Sequence, residues 1–283
     1  MQYSEDILDK LIVQWLDEDI GEGDHTTLST ILPETTGKAR LLVKQEGIIA
    51  GIRVAERIFK KFDPTLKLEI FIKDGTSVKP GDIVFEVKGL VASILQTERL
   101  VLNVMQRMSG VATQTNAFVS KLKGLKTIVL DTRKTTSGSR ILEKEGVKVG
   151  GGQNHRFGLY DMILIKDNHI DFAGGIEQAL ERTHQYLKEN KKNLKIVIEA
   201  RSLEDIKKIL KIGGVDRILL DNFTPGKTLE AVKLIGNSCE TESSGNITID
   251  NIREYAECGV DYISVGALTH QIKSLDLSLK ATL

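Results

Sequence analysis

Residues 195–221 read KIVIEARSLEDIKKILKIGGVDRILLD, and this stretch determines the fold class that we predict. Its two apolar runs, 195–198 and 217–220, have the length of buried strands, and the segment between them repeats apolar residues with the helical period. A charged residue follows each run directly, Glu199 after the first and Asp221 after the second. The pattern predicts a strand, a helix and a second strand parallel to the first.

The same alternation continues on both sides of this stretch. We predict strands at 127–130, 162–165, 195–198, 217–220, 239–242 and 262–265, and helices at 175–188, 203–212, 228–235 and 249–258. Because strand–helix–strand connections are right-handed, six such units can curl into a TIM-like α/β barrel. A doubly wound open sheet is the alternative.

The first hundred residues follow a different pattern. Apolar residues from Ile7 to Leu16 have helical spacing, and between 38 and 88 short apolar runs alternate with turn signals such as Asp74-Gly75 and Lys79-Pro80-Gly81. Those signals are typical of β-hairpins. A long helical pattern at 97–123 follows and marks the boundary with the strand–helix repeat.

Composition excludes several classes of protein. The 283 residues include 39 Lys+Arg and 39 Asp+Glu, so the chain lacks the positive field that non-specific nucleic-acid binding needs. Its two cysteines, Cys239 and Cys258, are too few for a disulfide scaffold and have no CxxC partner for a structural zinc site. No apolar run approaches the ~18 residues of a membrane helix, and we expect a cytoplasmic protein.

Polar residues follow each predicted barrel strand, where the active sites of such barrels lie. The segments concerned are 131–136, 166–169, Glu199, Asp221-Asn222, 242–246 and 266–270. Their cations, together with those of 150–156, indicate an anionic substrate, because Arg forks match carboxylate and phosphate oxygens. Ser244-Gly245-Asn246 and Gly266-Ala267 fit a phosphate site in the last loops. Glu199 and Asp221 are either ligands for Mg²⁺ or partners of the lysines.

Together, these residues carry a resemblance to a known family. The blocks are Asp131-Thr-Arg-Lys-Thr-Thr, Gly150-Gly-Gly-Gln-Asn-His-Arg-Phe-Gly-Leu, Leu164-Ile-Lys-Asp-Asn-His, Leu219-Leu-Asp-Asn-Phe and Ser264-Val-Gly-Ala-Leu-Thr-His. In this respect the chain resembles the quinolinate phosphoribosyltransferases, which are nicotinate-nucleotide pyrophosphorylases. The resemblance runs from Glu18 to His270, and it is the combination of blocks that makes it specific.

The resemblance implies a fold and an activity. The fold would be an N-terminal α/β sandwich domain at 1–110, an open TIM-like α/β barrel at 111–270, and a tail at 271–283 that packs back on the first domain. The enzyme would be a Mg²⁺-dependent pentosyltransferase that transfers phosphoribose from phosphoribosyl pyrophosphate to quinolinate with loss of CO₂. Its products would be nicotinate mononucleotide and pyrophosphate, made for NAD biosynthesis.

The resemblance also implies a role for each site residue. Quinolinate would be bound by Arg99, Arg133, His155, Arg156 and Lys166. Phosphoribosyl pyrophosphate would be handled by the catalytic residues Lys134, Glu199 and Asp221, of which Glu199 and Asp221 would hold the metal. The 5-phosphate would lie against Ser244, Gly245, Asn246 and Gly266. Arg99 would reach into a neighbouring subunit, so the enzyme would be a homodimer or a higher homo-oligomer with shared active sites.

The sequence departs from the family pattern at four positions. Ser137 and Ser139 stand in a loop that is usually Pro-Gly-Leu-Arg, Val197 replaces the first carboxylate of Glu-x-Glu, and Asn246 replaces the last Gly of Ser-Gly-Gly. These changes bear on metal affinity and phosphate geometry. Two alternatives stay open: a related transferase that acts on a different acid, against which the presence of Arg99, Arg133 and Arg156 speaks, and a catalytically silent barrel that senses phosphoribosyl pyrophosphate or a nucleotide, which only Val197 supports.

Overall fold

The computed structural model describes residues 5–282, which form two compact units. In chain order the elements are α1 (Glu5–Ile20), α2 (His25–Thr30), β1 (Thr36–Val43), β2 (Gly47–Ile48), α3 (Ile52–Phe62), β3 (Lys67–Ile70), β4 (Ser77–Val78), β5 (Ile83–Leu90), α4 (Val91–Lys121), β6 (Ile128–Leu130), α5 (Arg140–Val149), β7 (Ile163–Ile165), α6 (Asp167–Ala173), α7 (Ile176–Glu189), β8 (Ile196–Ala200), α8 (Leu203–Ile212), β9 (Arg217–Asp221), α9 (Pro225–Ile235), β10 (Glu240–Ser244), α10 (Ile252–Glu257), β11 (Tyr262–Ser264), α11 (Ala267–His270) and β12 (Leu277–Thr282).

The first unit comprises residues 5–116, 135–151 and 268–282. Its main sheet has the strand order β12-β1-β5-β3, and all three pairings are antiparallel. The apolar faces of α1, α3 and α4 contribute, with the inner face of this sheet, to one hydrophobic core that includes Leu8, Leu41, Ile58, Phe85 and Met105. This unit is thus a sheet covered by helices.

Helix α3 lies within residues 38–88, the segment for which the turn signals predict β-hairpins and no helix. Its buried residues, Ile52, Ala55 and Ile58, recur every three positions, so one apolar face enters the core. The Asp74 carboxylate accepts a hydrogen bond from the Ile52 N–H at 3.1 Å and satisfies one donor of the first turn. The prediction of hairpins throughout 38–88 is corrected at this helix.

The second unit comprises residues 117–134 and 152–267 and contains six parallel strands in the order β6-β11-β10-β9-β8-β7. Five strands follow one another in sequence order, and β6 pairs with the last of them, β11. A doubly wound sheet would instead reverse direction at a switch point. The order therefore confirms the open TIM-like barrel.

The strands of this barrel are short and almost entirely buried. The five residues of β8 are all buried, as are the first four of β9. Because the strands are parallel, their carboxyl ends lie along one edge, and the loops that leave this edge can build a single site. Among residues 5–282, no helix has the length and apolar character required to cross a membrane.

Candidate active site

The carboxyl ends of the barrel strands carry most of the predicted site residues. Arg133 and Lys134 follow β6, His155 and Arg156 precede β7, Lys166 follows β7, Glu199 lies in β8, Asp221 ends β9, Ser244 ends β10 and is followed by Gly245 and Asn246, and Gly266 follows β11. All of these residues belong to the second unit. Arg99 is the exception, because it lies on α4 in the first unit, where its side chain is exposed.

Arg156 is a buried cation. Its residue is 8% exposed, and its guanidinium donates a hydrogen bond to the Met162 carbonyl at 3.2 Å. Burial, together with the positive charge of Arg133, lowers the pKa of Arg156. Within the described chain no carboxylate lies within ion-pair distance of either guanidinium. The charges of Asp161 and Glu199 favour the charged form of Arg156, but burial outweighs them, so this buried cation and the exposed Arg133 beside it are suited to an anion from outside the chain.

His155 is held by two hydrogen bonds beside Arg156, and its ring faces a third group. Its backbone N–H donates to the Asp131 carboxylate at 2.9 Å, and its ring Nδ1 accepts from the Arg156 N–H at 2.7 Å. The ring Nε2 lies 3.4 Å from the Glu242 carboxylate. Asp131 also accepts from the Asn154 amide, so one buried carboxylate orders 154–155.

Glu199 lies between a cation and a second carboxylate. The Lys166 ammonium is 3.6 Å from one of its oxygens, and the other accepts the Asp167 N–H at 3.0 Å. Burial raises the pKa of Glu199 against the effect of these two donors, and the charge of Asp221 adds to the rise. The sequence left open whether Glu199 serves a metal or a lysine, and the geometry provides it with both a lysine and a neighbouring carboxylate.

The loops after β9 and β10 share an unusual backbone. Asn222, Gly245 and Asn246 all have left-handed φ angles, of 56°, 92° and 53°. A Cβ at Gly245 would collide with the Asn222 side chain, and that side chain accepts a hydrogen bond from the Asn246 amide at 3.1 Å. Asn is among the few residues other than Gly that tolerate this region. The Asn that replaces the family's last Gly therefore keeps the turn and adds a hydrogen bond to it.

Two interior residues of the barrel were assigned no role by the sequence reasoning, which named Glu242 only as part of the polar segment 242–246. Arg217 and Glu242 form a buried ion pair at 2.8 Å, and Glu242 in turn lies beside His155. The available signal was the strand Glu240–Ser244, which carries two carboxylates within one buried strand. Val197, opposite Arg217 in the strand register, is apolar and buried, so the carboxylates nearest this cation come from β10.

Comparison with known proteins gives the family. The model of the quinolinate phosphoribosyl transferase C-terminal domain matches residues 111–280, and that of the N-terminal domain matches residues 24–109. The chain belongs to the quinolinate phosphoribosyltransferase family. Membership in this family confirms the resemblance on which the roles of the site residues were predicted.

Individual family members are similar over nearly the whole chain. Quinolinate phosphoribosyltransferase [decarboxylating] 1b of Nicotiana tabacum is 43% identical, across 94% of this chain and 79% of that protein. The probable nicotinate-nucleotide pyrophosphorylase [carboxylating] of Bacillus subtilis is 41% identical, across 98% and 94%. The crystal structure of NadC from Streptococcus pyogenes is 35% identical and covers both chains completely, with a TM-score of 0.93. These quinolinate phosphoribosyltransferase family members therefore share both units with this chain.

Proposed function

We propose that this protein transfers the phosphoribosyl group of phosphoribosyl pyrophosphate to quinolinate and releases CO₂, forming nicotinate mononucleotide and pyrophosphate for NAD biosynthesis. The observation that carries the proposal is the pair formed by buried Arg156 and its neighbour Arg133, which repel each other, while the charges of Asp161 and Glu199 offset the burial of Arg156 only in part. Quinolinate is a dianion, and charge-assisted hydrogen bonds of about 1.5–3 kcal/mol each can hold it there.

In this mechanism the two guanidinium groups, His155 and the Lys166 ammonium bind and orient the two carboxylates of quinolinate. The ring nitrogen then faces the ribose, and its lone pair forms the bond to C1 as the bond from C1 to pyrophosphate breaks. Positive charge develops on the ribose in the transition state, and a nearby carboxylate stabilises it. Asp221 and Glu199 are the carboxylates at this edge, and Lys134, which follows β6 at the same edge, would bind the departing pyrophosphate.

Loss of CO₂ follows from the same binding mode. The bond between ring carbon 2 and its carboxylate breaks, and the electron pair remains on that carbon until a proton replaces the carboxylate. The quaternary ring nitrogen next to it stabilises this charge, so no covalent bond to the protein is required. The residues that hold the substrate therefore suffice for both steps.

Glu199 and Asp221 fit a Mg²⁺ ion shared with the substrate. Their mutual repulsion contributes to the raised pKa of Glu199, and a cation between them would relieve it. Within residues 5–282 no cluster of three or more metal-binding side chains occurs. Mg²⁺ commonly uses one or two carboxylates and completes its shell with water and phosphate oxygens. Bound there, the ion would neutralise charge on the pyrophosphate.

The test is release of ¹⁴CO₂ from quinolinate labelled in its 2-carboxylate, measured with phosphoribosyl pyrophosphate and Mg²⁺ present. Label release with equimolar nicotinate mononucleotide is the expected result. Nicotinic acid lacks the 2-carboxylate and leaves a buried arginine unpaired, so it should be a poor substrate. Equal turnover of nicotinic acid would refute the assignment to quinolinate, and absence of any turnover would favour the sensor.

We further propose that the active site is shared between subunits of a homodimer or higher homo-oligomer. Arg99 is exposed on α4, and exposed Leu95 lies one turn before it on the same helical face. In the second unit, Leu159, Tyr160 and Phe172 are 70%, 63% and 91% exposed in segments that adjoin the site residues Arg156 and Lys166. Exposed apolar residues of this kind are typical of interfaces, and a second copy would cover both sets.

Subunit mixing tests this arrangement. Arg99→Ala and Lys134→Ala should each be inactive, and dimers reassociated from an equal mixture should regain about a quarter of wild-type activity, because half are hybrids with one intact site. Hybrid dimers that are verified by native mass spectrometry and show no activity would contradict it.

A cytoplasmic location is part of the proposal, supported by two free cysteines that form no disulfide.

A further inference from the structure

The interior of the barrel contains an ionic cluster that the proposed reaction does not use. Arg217, the first residue of β9, donates to Glu242 at 2.8 Å and to Glu240 at 3.0 Å. Glu242 is completely buried, whereas the Glu240 side chain is 36% exposed. Burying charged side chains costs desolvation free energy, so stability alone is a weak explanation for an ion pair in the barrel interior.

The strand register explains why one guanidinium reaches both carboxylates. Arg217 lies opposite Glu240 in the pairing of β9 with β10, and Glu242 is two residues further along the same face. The Tyr262 ring packs against the guanidinium at 3.7 Å, and its hydroxyl donates to Glu240 at 3.1 Å. Three strands thereby hold Arg217 in a single position.

The inner end of the cluster faces His155. Burial by itself raises the pKa of Glu242, but His155 and Arg217 outweigh it and hold the pKa below its ordinary value. An ionised carboxylate only accepts hydrogen bonds, and it lies 3.4 Å from Nε2 of the ring. Nδ1 already accepts the Arg156 N–H, so the geometry selects the imidazole that carries its proton on Nε2.

We propose that Arg217 and Glu242 are positioning residues for quinolinate binding: they fix the tautomer of His155, and through its Nδ1 they fix the backbone of Arg156. This inference rests on the proposed function, since it assumes that Arg156 binds the substrate. With the proton on Nδ1 instead, two N–H donors would face each other at the position of a 2.7 Å hydrogen bond. Residue 156 would then have to move.

Glu242→Gln is the sharpest substitution, because the side chain keeps its shape but can donate to Nε2. The His155 proton should then shift toward Nδ1. The KM for quinolinate should rise about 10- to 100-fold, by analogy with the loss seen when the outer partners of metal-ligating histidines are removed. The KM for phosphoribosyl pyrophosphate should change less than threefold, and kcat should fall less than the affinity for quinolinate.

The tautomer is measured directly by ¹⁵N NMR of protein labelled at its histidines. The chain has five histidines, and the signal that disappears in His155→Asn is that of His155. In the wild type, Nδ1 of His155 should show the shift of an unprotonated nitrogen. In Glu242→Gln that signal should move toward the protonated value. Arg253→Met, which removes an exposed ion pair with Glu257 in the same unit, is the matched control and should change neither the signal nor KM.

A double variant separates positioning from stability. Arg217→Met alone leaves a buried carboxylate without its cation and should lower the Tm, whereas Arg217→Met with Glu242→Leu replaces the pair by apolar groups and should recover it. If the cluster only stabilises the fold, the double variant recovers the wild-type KM for quinolinate as well. We expect its KM to stay raised although its Tm returns.

His155→Ala distinguishes failure of this inference from failure of the proposed function. A quinolinate KM that is unchanged in His155→Ala would overturn the placement of His155 in the site. A KM raised in His155→Ala but unchanged in Glu242→Gln, with the NMR signal also unchanged, would overturn the positioning role alone.

Discussion

Replacing Asn246 directly tests the loop that we propose binds the 5-phosphate, residues 244–246. In Asn246→Ala, a residue with a φ of 53° loses the side chain that tolerates this conformation, at a cost of about 1–2 kcal/mol. The hydrogen bond to Asn222, 3.1 Å long, contributes about 0.5–1.5 kcal/mol more. The loss of about 1.5–3.5 kcal/mol is less than a typical stability of about 5–15 kcal/mol, so the variant should fold.

Asn246→Gly separates the two contributions, because Gly adopts the left-handed conformation without strain and loses the hydrogen bond, with about 0.4–1 kcal/mol of added unfolded-state entropy. Urea unfolding should therefore place it between the wild type and Asn246→Ala. Relief of the strain in the alanine variant would move the backbone around Gly245. We expect the KM for phosphoribosyl pyrophosphate to rise about 5- to 30-fold in Asn246→Ala, equivalent to about 1–2 kcal/mol. The rise should be smaller in Asn246→Gly.

Lys191 provides the matched control. It is exposed, has a left-handed φ of 49° and lies at the end of α7, outside the loops that carry site residues. Lys191→Gly relieves about 1–2 kcal/mol of left-handed strain and adds about 0.4–1 kcal/mol of unfolded-state entropy, so it should leave stability unchanged or slightly raised without any change in KM, and it calibrates the strain. Equal unfolding free energies and equal KM values for the alanine and glycine variants of Asn246 would refute the reasoning.

Three further substitutions test the site. Arg156→Lys keeps the charge but loses the fork, so kcat/KM for quinolinate should fall about 10- to 200-fold, close to the effect of Arg156→Ala; wild-type kinetics would remove Arg156 from the site. Asp221→Asn should lower kcat and raise the Mg²⁺ concentration for half-maximal rate while calorimetry finds quinolinate affinity nearly unchanged; lost quinolinate binding with normal Mg²⁺ dependence would make the carboxylate a lysine partner instead. The pKa of Glu242 lies below its ordinary value of 4.5, so its contribution to stability is complete above that pH and is lost as pH falls through the folded-state pKa. Glu242→Gln should therefore have a lower free energy of unfolding in urea than the wild type at pH 7. A difference in unfolding free energy between the two proteins that fails to narrow toward pH 3 would contradict the lowered pKa.

The barrel was predictable from the sequence because most of its strands contain an apolar run that ends in a polar group, with β10 (Glu240–Ser244) as the exception. The run predicted at 195–198, for example, is the strand Ile196–Ala200, and Glu199 lies near its carboxyl end. Parallel strands buried on both faces leave this signal because helices cover them. The placement of cations and carboxylates along one edge follows from the same regularity.

Other features depend on long-range contacts that leave little local signal. Residues 135–151, which include α5, group with the first unit although the flanking segments belong to the second. Helix α3 was hidden by the glycine and aspartate turns around it. The Arg217–Glu242 pair joins residues 25 positions apart, and only the strand register shows that the two side chains meet.

The pairing of β12 with β1 has a consequence for how this protein is made. Lys38 and Thr282, at one end of that pairing, are 244 residues apart. At a synthesis rate of about 5–20 residues per second, β1 leaves the ribosome roughly 12–50 s before its partner. During that interval one edge of β1 has no strand to bind, and such edges recruit strands from other molecules. Chaperone demand in the cell should therefore concentrate on the first unit, and premature termination before 277 should yield aggregates rather than a weaker enzyme.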